Sequence, residues 1–166
     1  MLTKNISFKN YLIKGNRSRV KNIFNNLLNK NLEVLASLKN TYKNSYKKNL
    51  ISKLKKYSNL RIIGIGGSIL GAEAIYDFLR FKVNKNILFV NNLTTNNFSS
   101  QNKKKKLNII ISKSGNTLET ISNTNLLLKK NDMNVFITEN KKSYLRNLAD
   151  KLKSEVINHN NFIGGR

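Results

Sequence analysis

Six consecutive residues, Ser112-Lys113-Ser114-Gly115-Asn116-Thr117, carry the densest chemistry in the chain: hydroxyls, an amide, an ammonium and a glycine with almost no apolar surface among them. Small hydroxyl and amide side chains gathered round one cation make a cradle for an anion, and phosphate is the anion that such a cradle suits best. Gly115 would let the backbone approach the ligand closely, where a side chain would obstruct it.

The elements needed to position these groups are written on either side. Leu107, Ile109, Ile110 and Ile111 form a short apolar run, the pattern of a strand buried on both faces. After the polar loop, Leu118, Ile121, Leu126, Leu127 and Leu128 supply the inward face of a helix. The first amides of that helix have no intrahelical acceptor, and the helix dipole puts partial positive charge among them. Taken alone, the segment reads slightly better as an ordinary loop with a serine or threonine N-cap.

A second unit of the same kind lies upstream. Residues 60–72 read LRIIGIGGSILGA, with Ile62, Ile63 and Ile65 as strand, Gly64, Gly66, Gly67 and Gly71 as punctuation, and Ser68 where a helix would start. Two nucleotide-binding patterns fit poorly. A Walker loop needs Lys after its second glycine, and Gly71 is followed by Ala72. A dinucleotide fingerprint counted from Gly64 and Gly66 puts its third glycine on Ile69. The glycines imply close backbone approach to something, without implying a nucleotide.

GIGGSILGAEA (Gly64 to Ala74) followed by ISKSGNTLET (Ile111 to Thr120) resembles the paired motifs of the glucose-6-phosphate isomerase family, part of the wider group of sugar-isomerase (SIS) domains. The segment Phe162-Ile163-Gly164-Gly165-Arg166 resembles the family's third landmark, G-G-R. Three motifs in order over Leu60 to Arg166 are far more specific than any one of them. The resemblance does not reach the N-terminal segment.

Composition bounds the alternatives. The 166 residues suffice for one domain with a substantial core and are too few for two full α/β domains. Without cysteine there are no disulfides or thiolate metal sites, and a single histidine, His159, argues against a histidine-based metal site. No stretch has the apolar length of a signal peptide core or a membrane span, so a soluble, cytoplasmic protein is expected. The net charge of +23, from 31 basic and 8 acidic residues, raises a nucleic-acid reading. The lysines are spread along the chain, however, and the bias toward Lys, Asn and Ile is that of an AT-rich coding sequence. Nucleic acid is therefore not the expected partner, while the positive field would attract anionic sugar phosphates.

Taken in order, residues 1–17 read as an irregular lead-in. Val20, Ile23, Phe24, Leu27 and Leu28 then recur at helical spacing after Ser18, a candidate N-cap. Leu32, Leu35 and Leu38 continue the pattern, and Tyr42, Tyr46, Leu50, Ile51 and Leu54 line a second stripe, so two or three helices are expected to pack on the domain. Strands are expected at Arg61–Ile65, Asn86–Val90, Leu107–Ile111 and Asn134–Thr138, with a weaker one near Val156–Ile157. Helices are expected at Ile69 to Phe81, Thr117 to Lys130 and Ser143 to Lys153, whereas Asn91 to Asn102 reads as loop.

This alternation argues an α/β fold, a parallel sheet flanked by helices and preceded by an N-terminal helical segment. The resemblance sharpens it to a SIS-type, flavodoxin-like three-layer sandwich, with residues 1–57 as the helical segment and 58–166 as a first SIS domain truncated at its C-terminal end. Ligands in such sheets bind beyond the carboxyl ends of the strands, where Ser68 and the Ser112–Thr117 loop fall. Lys103–Lys106 lies at the amino end of a strand and reads as a solvated gatekeeper run. His159 falls in an Asn-rich connection, away from the family's ring-opening histidine, and reads as an exposed bystander.

The resemblance implies interconversion of glucose 6-phosphate and fructose 6-phosphate through a cis-enediol, without metal or organic cofactor. Position by position, it implies phosphate binding by Ser68, Ser112, Ser114 and Thr117. Gly67, beside Ser68 in the first loop, and Lys113 and Gly115 in the second are assigned to the same phosphate site, the latter two through backbone N–H groups. Glu119 matches the glutamate that supports the ring-opening histidine; its bland reading is an acid in a first helical turn. Gly165 and Arg166 match the G-G-R whose arginine stabilises the enediolate. One departure is Asn91-Asn92-Leu93-Thr94, which lacks the Asp the family tends to have there.

The family's general-base glutamate, ring-opening histidine and a late lysine lie after G-G-R. These 166 residues are accordingly expected to be the N-terminal portion of a longer, typically dimeric enzyme, and to lack isomerase activity alone. A stand-alone SIS module that binds a phosphosugar without turnover, and a basic nucleic-acid-binding protein, are the other readings.

Overall fold

A computed structural model describes residues 17–30, 32–93, 105–129 and 131–164. The chain divides into two units, the first ending at Tyr42 and the second beginning at Lys43. The first contains α1 (Arg17–Asn29) and the single turn α2 (Glu33–Ala36). In α1 the residues Val20, Ile23, Phe24, Leu27 and Leu28 form the apolar stripe that their spacing dictates.

The second unit opens with α3 (Lys48–Leu54), which buries Leu50. It continues as β1 (Asn59–Ile63), α4 (Leu70–Leu79), β2 (Asn86–Val90), β3 (Leu107–Ile111), α5 (Leu118–Leu127), β4 (Met133–Glu139), α6 (Tyr144–Lys151) and β5 (Glu155–His159). The five strands pair in parallel in the order β2-β1-β3-β4-β5. Strand identity follows burial: β1, β3 and β4 are central and largely apolar, while β2 at one edge alternates exposed with half-buried positions up to the buried Val90 and β5 at the other has only exposed and half-buried positions.

The register lines up side chains in rows. Val90, Ile63, Ile110, Phe136 and Val156 form one row across all five strands, and their neighbours Ile121, Leu127, Leu145, Leu148 and Ala149 come from α5 and α6. Two residues earlier on the same face stands a polar row, Arg61, Asn108 and Asn134, all buried. Asn108 accepts from the Arg61 guanidinium at 3.4 Å and donates to Asn134 at 2.8 Å and to Asp132 at 3.2 Å. Arg61 also donates to the carbonyl oxygen of Leu127 at 2.8 Å, the last residue of α5. Burial pulls the guanidinium pKa below its ordinary value, against the opposing charge of Asp132.

The strands and helices expected from residue 58 onward all form, β1 two residues earlier than its apolar run predicts, whereas Tyr42 and Tyr46 of the second expected helical stripe lie outside α3. β2 and β3 have the bounds their apolar runs predict. α4 starts one residue later than expected, after the tight turn Gly66–Ser68, so Ser68 closes that turn and does not cap the helix. α5 stops at Leu127 because Leu128 is extended, which leaves the Leu127 carbonyl to Arg61. Of the run Lys103–Lys106, residues 103 and 104 lie outside the described residues; the Lys106 amide donates to Asp132 at 3.1 Å, at the amino end of β3.

Candidate functional site

The strand order places one switch point in this sheet. From β1 the chain crosses to β2 on one side, while β3 runs on to β4 and β5 on the other, so the loops after β1 and β3 diverge at adjacent carboxyl ends. A crevice opens at such a point. The two loops approach closely there: a Cβ on Gly64 would lie 3.0 Å from the carbonyl oxygen of Ile111 and 3.4 Å from Cβ of Ser68. Only glycine keeps that contact free of strain.

The loop after β3 continues the ladder by one residue, the Ser112 amide donating to Ile137 at 3.1 Å. Ser112 therefore sits two residues beyond Ile110, directly above the apolar row, and is buried. Its hydroxyl lies 3.0 Å from that of Thr117 and accepts from the Gly115 amide at 3.1 Å. Ser114 accepts from the Asn116 amide at 3.2 Å and is exposed. Thr117 occupies the N-cap of α5, but its side chain does not cap the helix. The hydroxyl that would satisfy a first-turn amide faces Ser112 instead, so α5 meets the loop with its amino end uncapped by any described side chain.

Gly115 adopts φ +67, and a Cβ there would collide with the Ser143 side chain and lie 2.8 Å from the Thr138 hydroxyl oxygen. Its carbonyl accepts from the Leu145 amide at 3.0 Å, and the Asn116 side-chain oxygen accepts from the Tyr144 amide at 2.8 Å. Asn116 thus closes the amino end of α6. The Gly115 N–H points back to Ser112, so in this structure Gly115 contributes shape and not a donor for a ligand.

Beside this loop lies a cavity of about 250 Å³ lined by Gly67, Ser68, Ile111, Lys113, His159, Ile163 and Gly164. It gathers Gly67, Ser68 and Lys113 from the expected site residues. Ser112, Ser114, Gly115 and Thr117 form the adjoining loop, and Glu119 is half-buried in the first turn of α5. Gly165 and Arg166 lie outside the described residues.

His159 departs from the reading of an exposed bystander. It ends β5, paired in register with Glu139, is half-buried and lines the cavity. Its Nδ1 is 2.8 Å from the carbonyl oxygen of Asn160. A carbonyl only accepts, so that contact calls for the proton on Nδ1 and leaves Nε2 for another partner. The apolar pair Val156–Ile157, extended by two residues as a strand, was the sequence signal that could have found it. Lys113 donates to the Asn161 carbonyl at 2.7 Å and lies 3.7 Å from Glu139, which pairs with Lys141 at 2.5 Å. That hydrogen bond to Lys141, aided by the charges of Lys141, Lys113 and His159, holds the Glu139 carboxyl below its ordinary pKa despite the opposing effect of burial.

Residues 25–161 match the family model described as Phosphoglucose isomerase. The chain is 41% identical over 112 residues to "Glucose-6-phosphate isomerase" of Methanocaldococcus jannaschii, a match covering 64% of this chain and 27% of that protein. It is 36% identical over 108 residues to the protein of the same name in Borreliella burgdorferi, covering 59% of this chain and 20% of the relative. The matched stretch is thus about a quarter or less of either relative's length. Among solved structures, a hypothetical protein of Thermus thermophilus superposes with a TM-score of 0.61 at 21% identity, covering 69% of this chain and 30% of that one. Tagatose-6-phosphate ketose/aldose isomerase of Escherichia coli does so with a TM-score of 0.50 at 24% identity, covering 69% of this chain and 33% of that one. Both show the fold.

Proposed function

Because the chain belongs to the phosphoglucose isomerase family, we propose that the whole protein carrying it is a glucose-6-phosphate isomerase. It would interconvert glucose 6-phosphate and fructose 6-phosphate in glycolysis and gluconeogenesis, and this part would supply the phosphate-binding loops. The observation that carries the reading is the uncapped amino end of α5 at the sheet's switch point, ringed by Ser112, Ser114 and Thr117 and set beside the cavity that holds Ser68. Helix amides without acceptors, together with hydroxyl donors, suit a phosphate.

In this scheme the phosphate is anchored by Ser68, Ser112, Ser114 and Thr117, with the Gly67 and Lys113 backbone beside it and Gly115 shaping the turn. Anchoring one end of an open-chain sugar orients C1 and C2 for proton transfer at the other. A base removes the carbon-bound proton, and a cation stabilises the enediolate oxygen as it forms; Arg166, next to Gly165, is assigned the second task. Glu119 is assigned to support the ring-opening histidine. That histidine and the general base are assigned to chain beyond the stretch matched here.

We assign binding without turnover to residues 1–166 alone. We further assign residues 58–166 to a first SIS domain, the whole protein to a homodimer, and its place to the cytoplasm; among the described residues no helix is long and apolar enough to cross a membrane. The test is conversion of fructose 6-phosphate to glucose 6-phosphate by the whole purified protein. Turnover lost on Ser112→Ala supports the assignment, and no turnover by the whole protein overturns it.

A further inference from the structure

Lys113 sits at the meeting of three segments. Its carbonyl oxygen accepts from the Glu139 amide at 3.0 Å and from the Thr138 hydroxyl at 3.3 Å, which fixes the residue to the end of β4. Its ammonium donates to the Asn161 carbonyl oxygen at 2.7 Å and faces Glu139 at 3.7 Å. Glu139 is itself held by Lys141, so the carboxylate is not free to swing away. Asn161 belongs to the connection that leaves β5 and runs on through Ile163 and Gly164, both of which wall the cavity shared with Ser68 and His159.

A short N–H···O bond from an ammonium is among the stronger hydrogen bonds, and lysine has three donors and no acceptor with which to make others. An ammonium that turned fully toward a phosphate would let go of the Asn161 carbonyl, and with it the cavity wall. The same bond, kept, gives the wall a fixed distance from the loop after β3.

We propose that Lys113 is a positioning residue: its ammonium straps the Asn160–Gly164 connection to the loop after β3 and so sets the width of the cavity that receives the sugar carbons. This deepens the phosphosugar reading of the site and rests on it. The loop's hydroxyls and helix amides hold the phosphate, and the strap fits the rest of the ligand. Inorganic phosphate then needs the loop alone, whereas fructose 6-phosphate needs the loop and the wall.

The two ligands therefore separate the roles. Lys113→Met keeps much of the apolar stem and removes the ammonium; Lys113→Arg restores a donor. In the whole protein, dissociation constants for inorganic phosphate and fructose 6-phosphate are measured together with backbone amide exchange at residues 160–164. The expected result is that Lys113→Met weakens fructose 6-phosphate by about tenfold more than it weakens phosphate, as loss of one charged hydrogen bond to the wall predicts. Exchange at 160–164 should accelerate, and Lys113→Arg should recover most of both effects.

Equal losses for the two ligands with unchanged exchange at 160–164 would make Lys113 a direct phosphate partner and overturn the strap. If the unaltered protein binds neither ligand, the phosphosugar reading fails, and the exchange rates of the free proteins still decide whether the strap exists. Should Lys113→Met not fold, Lys113→Gln, polar and shorter, carries the same readouts with the same two outcomes.

Discussion

The loop after β4 and the loop after β3 leave adjacent strands, and each delivers the chain to the amino end of a helix with a hydroxyl residue at the cap. At α6 every first-turn requirement is met from nearby: Ser143 accepts from the Arg146 amide at 3.3 Å, Asn116 takes Tyr144, and Gly115 takes Leu145. At α5 the cap residue Thr117 turns its hydroxyl to Ser112 and leaves the helix end uncapped by any described side chain. One loop closes a helix, and it does so with groups borrowed from the other. A hydroxyl at an N-cap therefore says little about function until its partner is known. The capped end is what stability favours, and the uncapped end is where a ligand gains most from supplying the missing acceptors.

If the two loops are one interlocked body, the largest effect comes from forcing them apart. Gly115→Ala puts a Cβ against Ser143 and Thr138 at a positive φ, so both the clash and the backbone conformation oppose it. The expected loss is about 3 kcal/mol in chemical denaturation, together with loss of phosphate binding. A stability change within about 0.5 kcal/mol would show that the loops are not locked at this point. The other end of α5 gives the next largest effect. Arg61→Met removes the donor to Leu127 and Asn108 and should cost about 2 kcal/mol through buried acceptors left unpaired. Phosphate affinity should change much less, since this contact lies at the far end of the helix; an affinity loss as large as that of Gly115→Ala would contradict the division of roles.

The same contrast explains which parts were legible in the sequence. β2 and β3 had the predicted bounds because an apolar run ending in polar residues is a local signal. The parallel pairing of the strands followed from alternation of strand and helix, while their order in the sheet did not. The end of α5 was not legible, because Leu127 is held by Arg61, 66 residues away in sequence. Ser112 and Thr117 were visible as an anion loop by composition, yet nothing local showed that Thr117 would decline to cap its helix. His159 was misread because β5 is an edge strand whose apolar content is only Val156 and Ile157, so its last residue resembled a connection. Asn116 and Gly115 were legible as loop residues, but their service to α6 depends on where α6 comes to rest.

A pair of serine substitutions tests the division with smaller effects. Ser143→Ala removes a cap that is used and should cost about 1 kcal/mol of stability with phosphate affinity unchanged within about twofold. Ser114→Ala removes an exposed hydroxyl and should leave stability within about 0.5 kcal/mol while weakening phosphate binding severalfold. Denaturation curves and phosphate titrations on the two variants form a double dissociation. If Ser143→Ala weakens phosphate as much as Ser114→Ala does, the loops do not divide the labour as described.

The smallest effect concerns pH and reaches the loop after β4 through Glu139. Its folded pKa lies below the ordinary carboxylate value, chiefly because Lys141 bonds the ionised form. A carboxyl with a depressed folded pKa binds fewer protons folded than unfolded, so its stabilising contribution is present above its unfolded pKa and is lost as pH falls through the folded one. Stability of the unaltered protein should therefore decline on acidification from about pH 5 downward, and Glu139→Gln should show a shallower decline over that window because the titrating group is gone. The Lys113 ammonium keeps its bond to the Asn161 carbonyl when Glu139 is protonated, since a carbonyl does not titrate there. Amide exchange at 160–164 should consequently respond less to acid than to Lys113→Met; an equal response would place the hold on that connection in the Glu139 ion pair and not in the Asn161 hydrogen bond.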